Sequence, residues 1–209
     1  MLPIPERPLA ELLAGRSCPV TVTVVPHVDG MAPVDEVVAL IALLAVESPK
    51  VVLEIGTYLG QTTRLLAENM PQAQIHTVDL PPDYTTGNDP VTHLPKDDFH
   101  LIAVRRVGVE FAGQACADRI TQHFADTATW NFAEAGPATC FFIDGAHTYE
   151  YCLNDSEKCF ALGGGRGVFL WHDCDAHHDG VVRMLAEWRA LGRDIVRVQG
   201  TTLAYWKAD

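Results

Sequence analysis

The sequence has no long uninterrupted run of hydrophobic residues, and this absence excludes the usual kind of membrane-spanning protein. A transmembrane helix needs about 20 consecutive apolar residues, and no stretch of the 209 residues approaches that length. The opening residues, MLPIPERPLAELLAG, also lack the basic start and long apolar centre of a signal peptide. We therefore expect a cytoplasmic protein with no membrane partner.

Basic residues are scarce. Lys and Arg number 15 against 27 Asp and Glu, which gives a net charge of −12. Proteins that bind nucleic acids gain much of their affinity by neutralising phosphates with basic side chains, so this balance argues against a nucleic-acid partner. It also disfavours binding to an anionic membrane surface.

The six cysteines include no CxxC pair and do not show the spacing of a small disulfide-stapled scaffold. Several lie in apolar runs, where free thiols pack as small hydrophobic groups. With 48% apolar and 20% charged residues, the composition is that of an ordinary globular protein. The length predicts a single domain over residues 1–209, with residues 1–32 as an N-terminal extension.

Short apolar strand patterns alternate with helical patterns from residue 34 onward. Strands are predicted at 51–55, 75–79, 120–124, 140–144 and 168–172, and helices at 34–47, 61–70, 149–162 and 181–191. Residues 195–198 and 202–206 predict a terminal hairpin, and the N-terminal part predicts a short helix at 8–14 and a β-rich run at 20–25. The alternation predicts an α/β fold whose parallel sheet is covered on both faces. In such sheets, ligands bind beyond the carboxyl ends of the strands.

The first of these strands is followed by a glycine-containing turn. Gly56 and Gly60 come directly after Glu54 and Ile55, in a GxxxG pattern that differs from the GxGxxG of dinucleotide-binding proteins. Such a turn lets a ligand approach the backbone and presents helix N-terminal amides; a tight turn without a ligand is the alternative. Asp79 ends the second strand, where nucleotide-binding folds place an acid that holds ribose hydroxyls. A lone aspartate there also serves as a helix cap.

Two segments after the second and third strands are further candidates for ligand binding. Asp126 and Thr127 follow the third strand, where an aspartate accepts from an exocyclic amine such as that of adenine or caps a helix. Residues 80–96 contain four prolines and no clear helix or strand pattern. This is typical of a substrate-binding loop, with a disordered insertion as the alternative.

Acidic and imidazole side chains follow the fourth and fifth strands. Asp144 and His147 come after the fourth strand, and His172 and Asp173 end the fifth. Carboxylates and imidazoles suit either a divalent cation or proton transfer, and an ordinary imidazole pKa of about 6.5 suits a proton acceptor. A single histidine beside an acid is more often only a satisfied polar pair.

Together these stretches resemble the class I S-adenosylmethionine-dependent methyltransferases. The resemblance rests on LEIGTYLGQTT, VDL, ADRITQHFADT, FFIDGAHTYEYCLND, VFLWHDCD and the closing QGTTLAYW. The later stretches are similar to the small-molecule O-methyltransferases that include the macrocin-type sugar methyltransferases. It implies a Rossmann-like three-layer sandwich with a seven-stranded, mostly parallel sheet and an antiparallel last strand.

The resemblance also implies the residues of the site. The cofactor-binding residues would be Glu54, Gly56, Thr57, Tyr58, Gly60, Thr62, Asp79, Leu80, Asp126, Thr127 and Asp144. The catalytic group would be Asp144, His147, His172 and Asp173, with Asp144, Asp173 and His172 holding a metal such as Mg or Mn. His172 and Cys174 stand where relatives carry acidic or amide neighbours, so a metal-free site with His147 or His172 as the base stays open.

We therefore predict methyl transfer from S-adenosylmethionine to a hydroxyl of a small molecule, such as a sugar or natural product. The alternatives are an NAD-dependent oxidoreductase with a Rossmann fold and a non-catalytic binding protein on a methyltransferase fold. Assembly into a homo-oligomer is compatible with this interpretation.

Overall fold

The computed structural model describes residues 4–84 and 106–209. The helices are α1 (Leu9–Leu12), α2 (Val34–Ala45), α3 (Gln61–Asn69), α4 (Tyr149–Leu162) and α5 (Asp179–Ala190), with short 3-10 turns at Ala117–Arg119 and Phe132–Ala135. The strands are β1 (Glu6–Arg7), β2 (Val51–Ile55), β3 (Gln74–Asp79), β4 (Ile120–Phe124), β5 (Cys140–Ile143), β6 (Gly167–Trp171), β7 (Val196–Val198) and β8 (Ala204–Ala208). None of the helices in these residues is long and apolar enough to cross a membrane.

The strands form one sheet in the order β1-β7-β8-β6-β5-β2-β3-β4. β2 to β6 run parallel, while β8 is antiparallel to both β6 and β7. The predicted α/β architecture with an antiparallel last strand is confirmed. The described residues form eight strands where seven were expected, because Glu6–Arg7 adds a short parallel strand beside β7.

The sheet is covered on both faces, as a parallel sheet must be. Successive residues of a strand point to opposite faces, so Phe141 packs in the core that contains α4 and α5, while Phe142 packs in the core that contains α2 and α3. Both phenylalanines are fully buried. The predicted three-layer sandwich therefore follows from strands that are apolar on both sides.

The N-terminal region departs from the predicted secondary structure. The β-rich run at 20–25 forms no strand, because part of its backbone bonds instead to the side chain of Asn69 at the end of α3. The hairpin strands shift to Val196–Val198 and Ala204–Ala208, and the other helix and strand ends move by at most two residues. Residues 85–96 of the predicted substrate loop lie outside the described residues.

Candidate active site

A cavity of about 440 Å³ opens at the carboxyl ends of the central parallel strands. This is the position at which open α/β sheets bind ligands. Its walls include many of the residues that the sequence singled out, namely Gly56, Thr57, Tyr58, Gly60, Thr62, Asp79, Leu80, Thr127, Asp144, His147, His172 and Asp173. The strand ends therefore bring members of both groups of predicted residues, cofactor-binding and catalytic, to one cavity.

The turn after β2 needs glycine for steric reasons. Gly56 has φ +95°, and a Cβ built on it would lie 1.9 Å from the backbone oxygen of Asp144. The amide of Asp144 in turn donates to the carbonyl of Ile55 over 2.8 Å. Gly60, at φ +85°, immediately precedes α3, so the N-terminal end of that helix lies at the cavity wall.

Asp79 ties the end of β3 to this turn. Its Oδ2 accepts a hydrogen bond from the backbone amide of Tyr58 over 2.8 Å. This bond holds the carboxylate of Asp79 in a defined orientation. The geometry places a carboxylate on the cavity wall beside the glycine turn.

Glu54 and Asp126 do not line the cavity, although the sequence analysis grouped them with the cofactor-binding residues. Glu54 is fully buried behind the turn, where Oε2 accepts from the hydroxyls of Thr63 and Thr77. Asp126 accepts from the hydroxyl of Tyr151 at 3.0 and 3.1 Å and from a backbone amide. Both acids are engaged by neighbouring donors, and Thr127 and Tyr151 provide the wall near Asp126.

Asp155 is a wall residue that the sequence analysis missed. It lies on α4, is 1% exposed, and accepts from the side chain of Asn154 over 2.8 Å. Burial raises the pKa of Asp155 to about 6, against hydrogen bonds from Thr127 and Asn154 that lower it. Nothing in the local sequence separates it from an ordinary helix surface acid.

At the ends of β5 and β6, four side chains form a connected group that we call the His–Asp cluster: Asp144, His147, His172 and Asp173. His147 Nε2 lies 2.7 Å from Asp173 Oδ2. His172 Nδ1 lies 3.1 Å from the same oxygen and 3.3 Å from Asp144 Oδ1. The cluster is partly buried, and its members all line the cavity.

The charges of this cluster stabilise one another. Burial alone would lower the pKa of His172, but Asp144, Asp173 and Glu36 outweigh it and raise that pKa far above its ordinary value. Burial would likewise raise the pKa of Asp173, but hydrogen bonds from His147 and His172 hold it well below its usual range. Asp173 also has φ +59°, a conformation rare for a non-glycine residue and frequent at functional sites.

Two partners of the cluster escaped the sequence analysis as site residues. Glu36 Oε2 lies 2.6 Å from His172 Nε2, across 136 residues of chain, and its position in the first turn of a helix has an ordinary electrostatic explanation. His178 Nδ1 lies 3.6 Å from Asp173 Oδ1 and 3.0 Å from Asp175 Oδ1. Only the packing of α2 and α5 onto the strand ends reveals these contacts.

The described residues contain two overlapping sets of metal-ligand type, which share Asp173. One set is Asp144, His172 and Asp173, and the other is His147, Asp173 and His178. Within each set the ligand atoms lie within 4.8 Å of one another. Carboxylate oxygens combined with imidazole nitrogens suit Mn, Fe or Zn better than Mg.

A family profile for the methyltransferase domain matches residues 53–174, more than half of the chain and the segment that supplies most of the cavity wall. The chain belongs to the methyltransferase family. No curated protein sequence matches this methyltransferase.

Solved structures share its fold at low sequence identity. An SAH-bound methyltransferase of Podospora anserina has a TM-score of 0.61 and 14% identity, covering 96% of this chain and 93% of its own. The O-methyltransferase of Bacillus cereus in complex with SAH has a TM-score of 0.59 and 14% identity, with 87% and 84% covered. TomG, an O-methyltransferase of Streptomyces achromogenes in complex with SAM, has a TM-score of 0.57 and 15% identity, with 87% and 83% covered.

The buried Glu54 of this methyltransferase should make its stability depend on pH. Burial, with smaller contributions from Asp144 and Asp79, raises the pKa of Glu54 from 4.5 to about 8. Between these values the native state keeps a proton that the unfolded chain has released. The free energy of unfolding contributed by this group therefore falls as pH rises through the window and levels off above it.

Replacing Glu54 by Gln removes the ionisation, so the variant should lose this fall. Urea unfolding of both proteins at about pH 5.5, 6.5 and 7.5 measures the difference in slope. Glu11→Gln, which changes an exposed glutamate on α1, controls for the loss of a carboxylate. Equal slopes in the wild type and Glu54→Gln would contradict a protonated Glu54 in the native state.

Proposed function

We propose that this methyltransferase transfers the methyl group of S-adenosylmethionine to an oxygen of a small molecule. The observation that carries the proposal is one cavity lined by both the glycine turn with Asp79 and the His–Asp cluster. The first suits a nucleoside, and the second suits removal of a proton from an acceptor hydroxyl. The Bacillus and Streptomyces structures, which are O-methyltransferases in complex with SAH or SAM, support the assignment.

Asp79 is the proposed anchor of the nucleoside. A carboxylate accepts from both hydroxyls of a ribose at once, and the bond from the Tyr58 amide holds Asp79 on the cavity wall. The backbone at Gly56 and Gly60 allows close approach of the ligand. The other proposed contacts of the cofactor are Thr57, Tyr58, Thr62, Leu80, Thr127 and Asp144, which line the same cavity.

His147 is the proposed proton acceptor. S-adenosylmethionine supplies an electrophilic methyl group on a sulfonium, which is a good leaving group. The chain therefore has to align the two substrates and remove the hydroxyl proton. Asp173, 2.7 Å from His147 Nε2, orients the ring and stabilises the positive charge that it gains, as the aspartate of a catalytic triad does.

A divalent cation fits the other side of the cluster. Asp144, His172 and Asp173 offer two carboxylates and an imidazole whose ligand atoms lie within 4.8 Å of one another. This set of ligands suits Mn better than Mg. We propose that these three residues hold such an ion. Its chemistry would be to lower the pKa of the acceptor hydroxyl, as bound metals do for water.

Replacing Asp79 by Ala should weaken the binding of S-adenosylmethionine about tenfold or more, because loss of a charged hydrogen-bond acceptor costs about 1.5–3 kcal/mol. Isothermal titration calorimetry measures the affinity. Asp118→Ala, which removes an exposed aspartate that does not line the cavity, should bind as the wild type does. Unchanged affinity of Asp79→Ala, or binding of NAD in place of S-adenosylmethionine, would contradict the proposed function.

Replacing His147 by Gln should lower turnover about 10²–10⁴-fold, the usual contribution of a general base, while S-adenosylmethionine affinity stays unchanged. Formation of S-adenosylhomocysteine against a panel of phenols and sugars measures turnover. His177→Gln, at the exposed histidine that precedes His178 in the chain, is the matched control.

The same assay in EDTA separates the metal from the base. Turnover should fall in EDTA and return with Mn²⁺. Full turnover in EDTA would remove the metal from the mechanism, and full turnover of His147→Gln would remove His147 as the proton acceptor.

A further inference from the structure

Glu36 is a buried acid on an otherwise apolar helix face. It lies in the first turn of α2, is 5% exposed, and packs between elements that carry the cavity rather than on the cavity wall itself. Burying a carboxylate is costly unless its oxygens find hydrogen-bond donors. Glu36 finds two, one on each oxygen, and both belong to segments at the carboxyl end of the sheet.

The two donors differ in kind. Oε1 accepts from the backbone amide of Thr202 over 2.5 Å, and Oε2 lies 2.6 Å from His172 Nε2. A backbone amide can only donate, so Oε1 is committed to Thr202. Oε2 as a carboxylate oxygen can only accept, and His172 Nε2 must therefore carry the hydrogen that joins them.

The other ring nitrogen faces the site. With Nε2 held by Glu36, His172 Nδ1 points between Asp144 Oδ1 at 3.3 Å and Asp173 Oδ2 at 3.1 Å. Histidines that ligate metals almost always donate their second ring N–H to a carboxylate or carbonyl, which fixes the ring and its tautomer. Glu36 is such a carboxylate partner, because it accepts the hydrogen of His172 Nε2.

We propose that Glu36 is the positioning residue of the site: it keeps a hydrogen on His172 Nε2 and directs Nδ1 to the space between Asp144 and Asp173. The cation part of this inference rests on the proposed function, while the positioning of His172 does not. Glu36 touches neither substrate nor cofactor on this account. Its effect reaches the reaction only through the ring of His172.

The substitution Glu36→Gln tests this directly, because glutamine has the same shape but only one acceptor oxygen. That oxygen is needed by the amide of Thr202, so the NH₂ group must face His172 Nε2. The ring then has to accept at Nε2, so it loses the hydrogen there and keeps only the one on Nδ1, which faces Asp144 and Asp173. A merely structural role for Glu36 would not remove the hydrogen from Nε2.

Nitrogen-15 NMR of histidine-labelled protein reports which ring nitrogen carries the hydrogen, with the His172 signals assigned by their loss in His172→Gln. Nε2 should be protonated in the wild type and unprotonated in Glu36→Gln. Asp35→Asn, at an exposed acid in the same helical turn, should match the wild type. A wild-type Nε2 without hydrogen, or an Nε2 that is protonated in both the wild type and Glu36→Gln, would overturn the proposal. The wild-type spectrum alone can give the first of these results, even if the variant folds poorly.

Calorimetry with Mn²⁺ alone gives the second readout. Affinity should fall about 10–100-fold in Glu36→Gln, the usual cost of losing such an outer partner, and stay unchanged in Asp35→Asn. Loss of the Nε2 hydrogen without any change in Mn²⁺ affinity would overturn the role of Glu36 toward the cation. Loss of the Nε2 hydrogen in a Glu36→Gln chain, with no Mn²⁺ binding in either protein, would support the positioning of His172 and count against the proposed metal. The Asp79→Ala titration tests the cofactor separately.

Discussion

Three carboxylates converge on one imidazole at the carboxyl end of β6, and the rest of the site is arranged around that contact. Asp144, Asp173 and Glu36 all lie within 3.3 Å of the ring of His172. Carboxylates this close repel one another unless a positive charge lies between them. The pKa of His172 is raised and the pKa of Asp173 is lowered for the same reason. Burial disfavours both charged forms, but the interactions between the opposite charges outweigh its effect.

Glycines at two positions allow neighbouring backbone segments to pack closely beside the His–Asp cluster. Gly56 allows the turn after β2 to press against the backbone of Asp144. Gly180, in the first turn of α5, does the same on the other side, since a Cβ there would lie 2.4 Å from the backbone oxygen of His147. Because the strands β2, β5 and β6 run in parallel register, these turns meet at one level and define one cavity.

The sequence predicted those parts of the site that follow directly from strand ends. The strand at Ile120–Phe124 and the helix at Tyr149–Leu162 agree with the predicted bounds, and Asp79, Asp144 and Asp173 lie on the cavity wall because they follow parallel strands. The direction of a side chain is harder to predict. Asp126 also follows a strand, yet its carboxylate meets the hydroxyl of Tyr151.

Contacts between distant segments could not be predicted from local patterns. Glu36 meets His172 only because α2 packs across the end of the sheet, and a single acid in a first helical turn carries no signal of that contact. Glu6–Arg7 is too short for a period-2 pattern to develop. The run at 20–25 has the strand pattern but part of its backbone bonds to Asn69.

The most direct test of the proposed function is a crystal structure with S-adenosylhomocysteine and Mn²⁺. We expect the ribose hydroxyls to bind Asp79 and the sulfur to face the His–Asp cluster. Mn²⁺ should bind Asp144, His172 and Asp173. A nucleoside bound outside the cavity, or a sulfur turned away from the cluster, would contradict it.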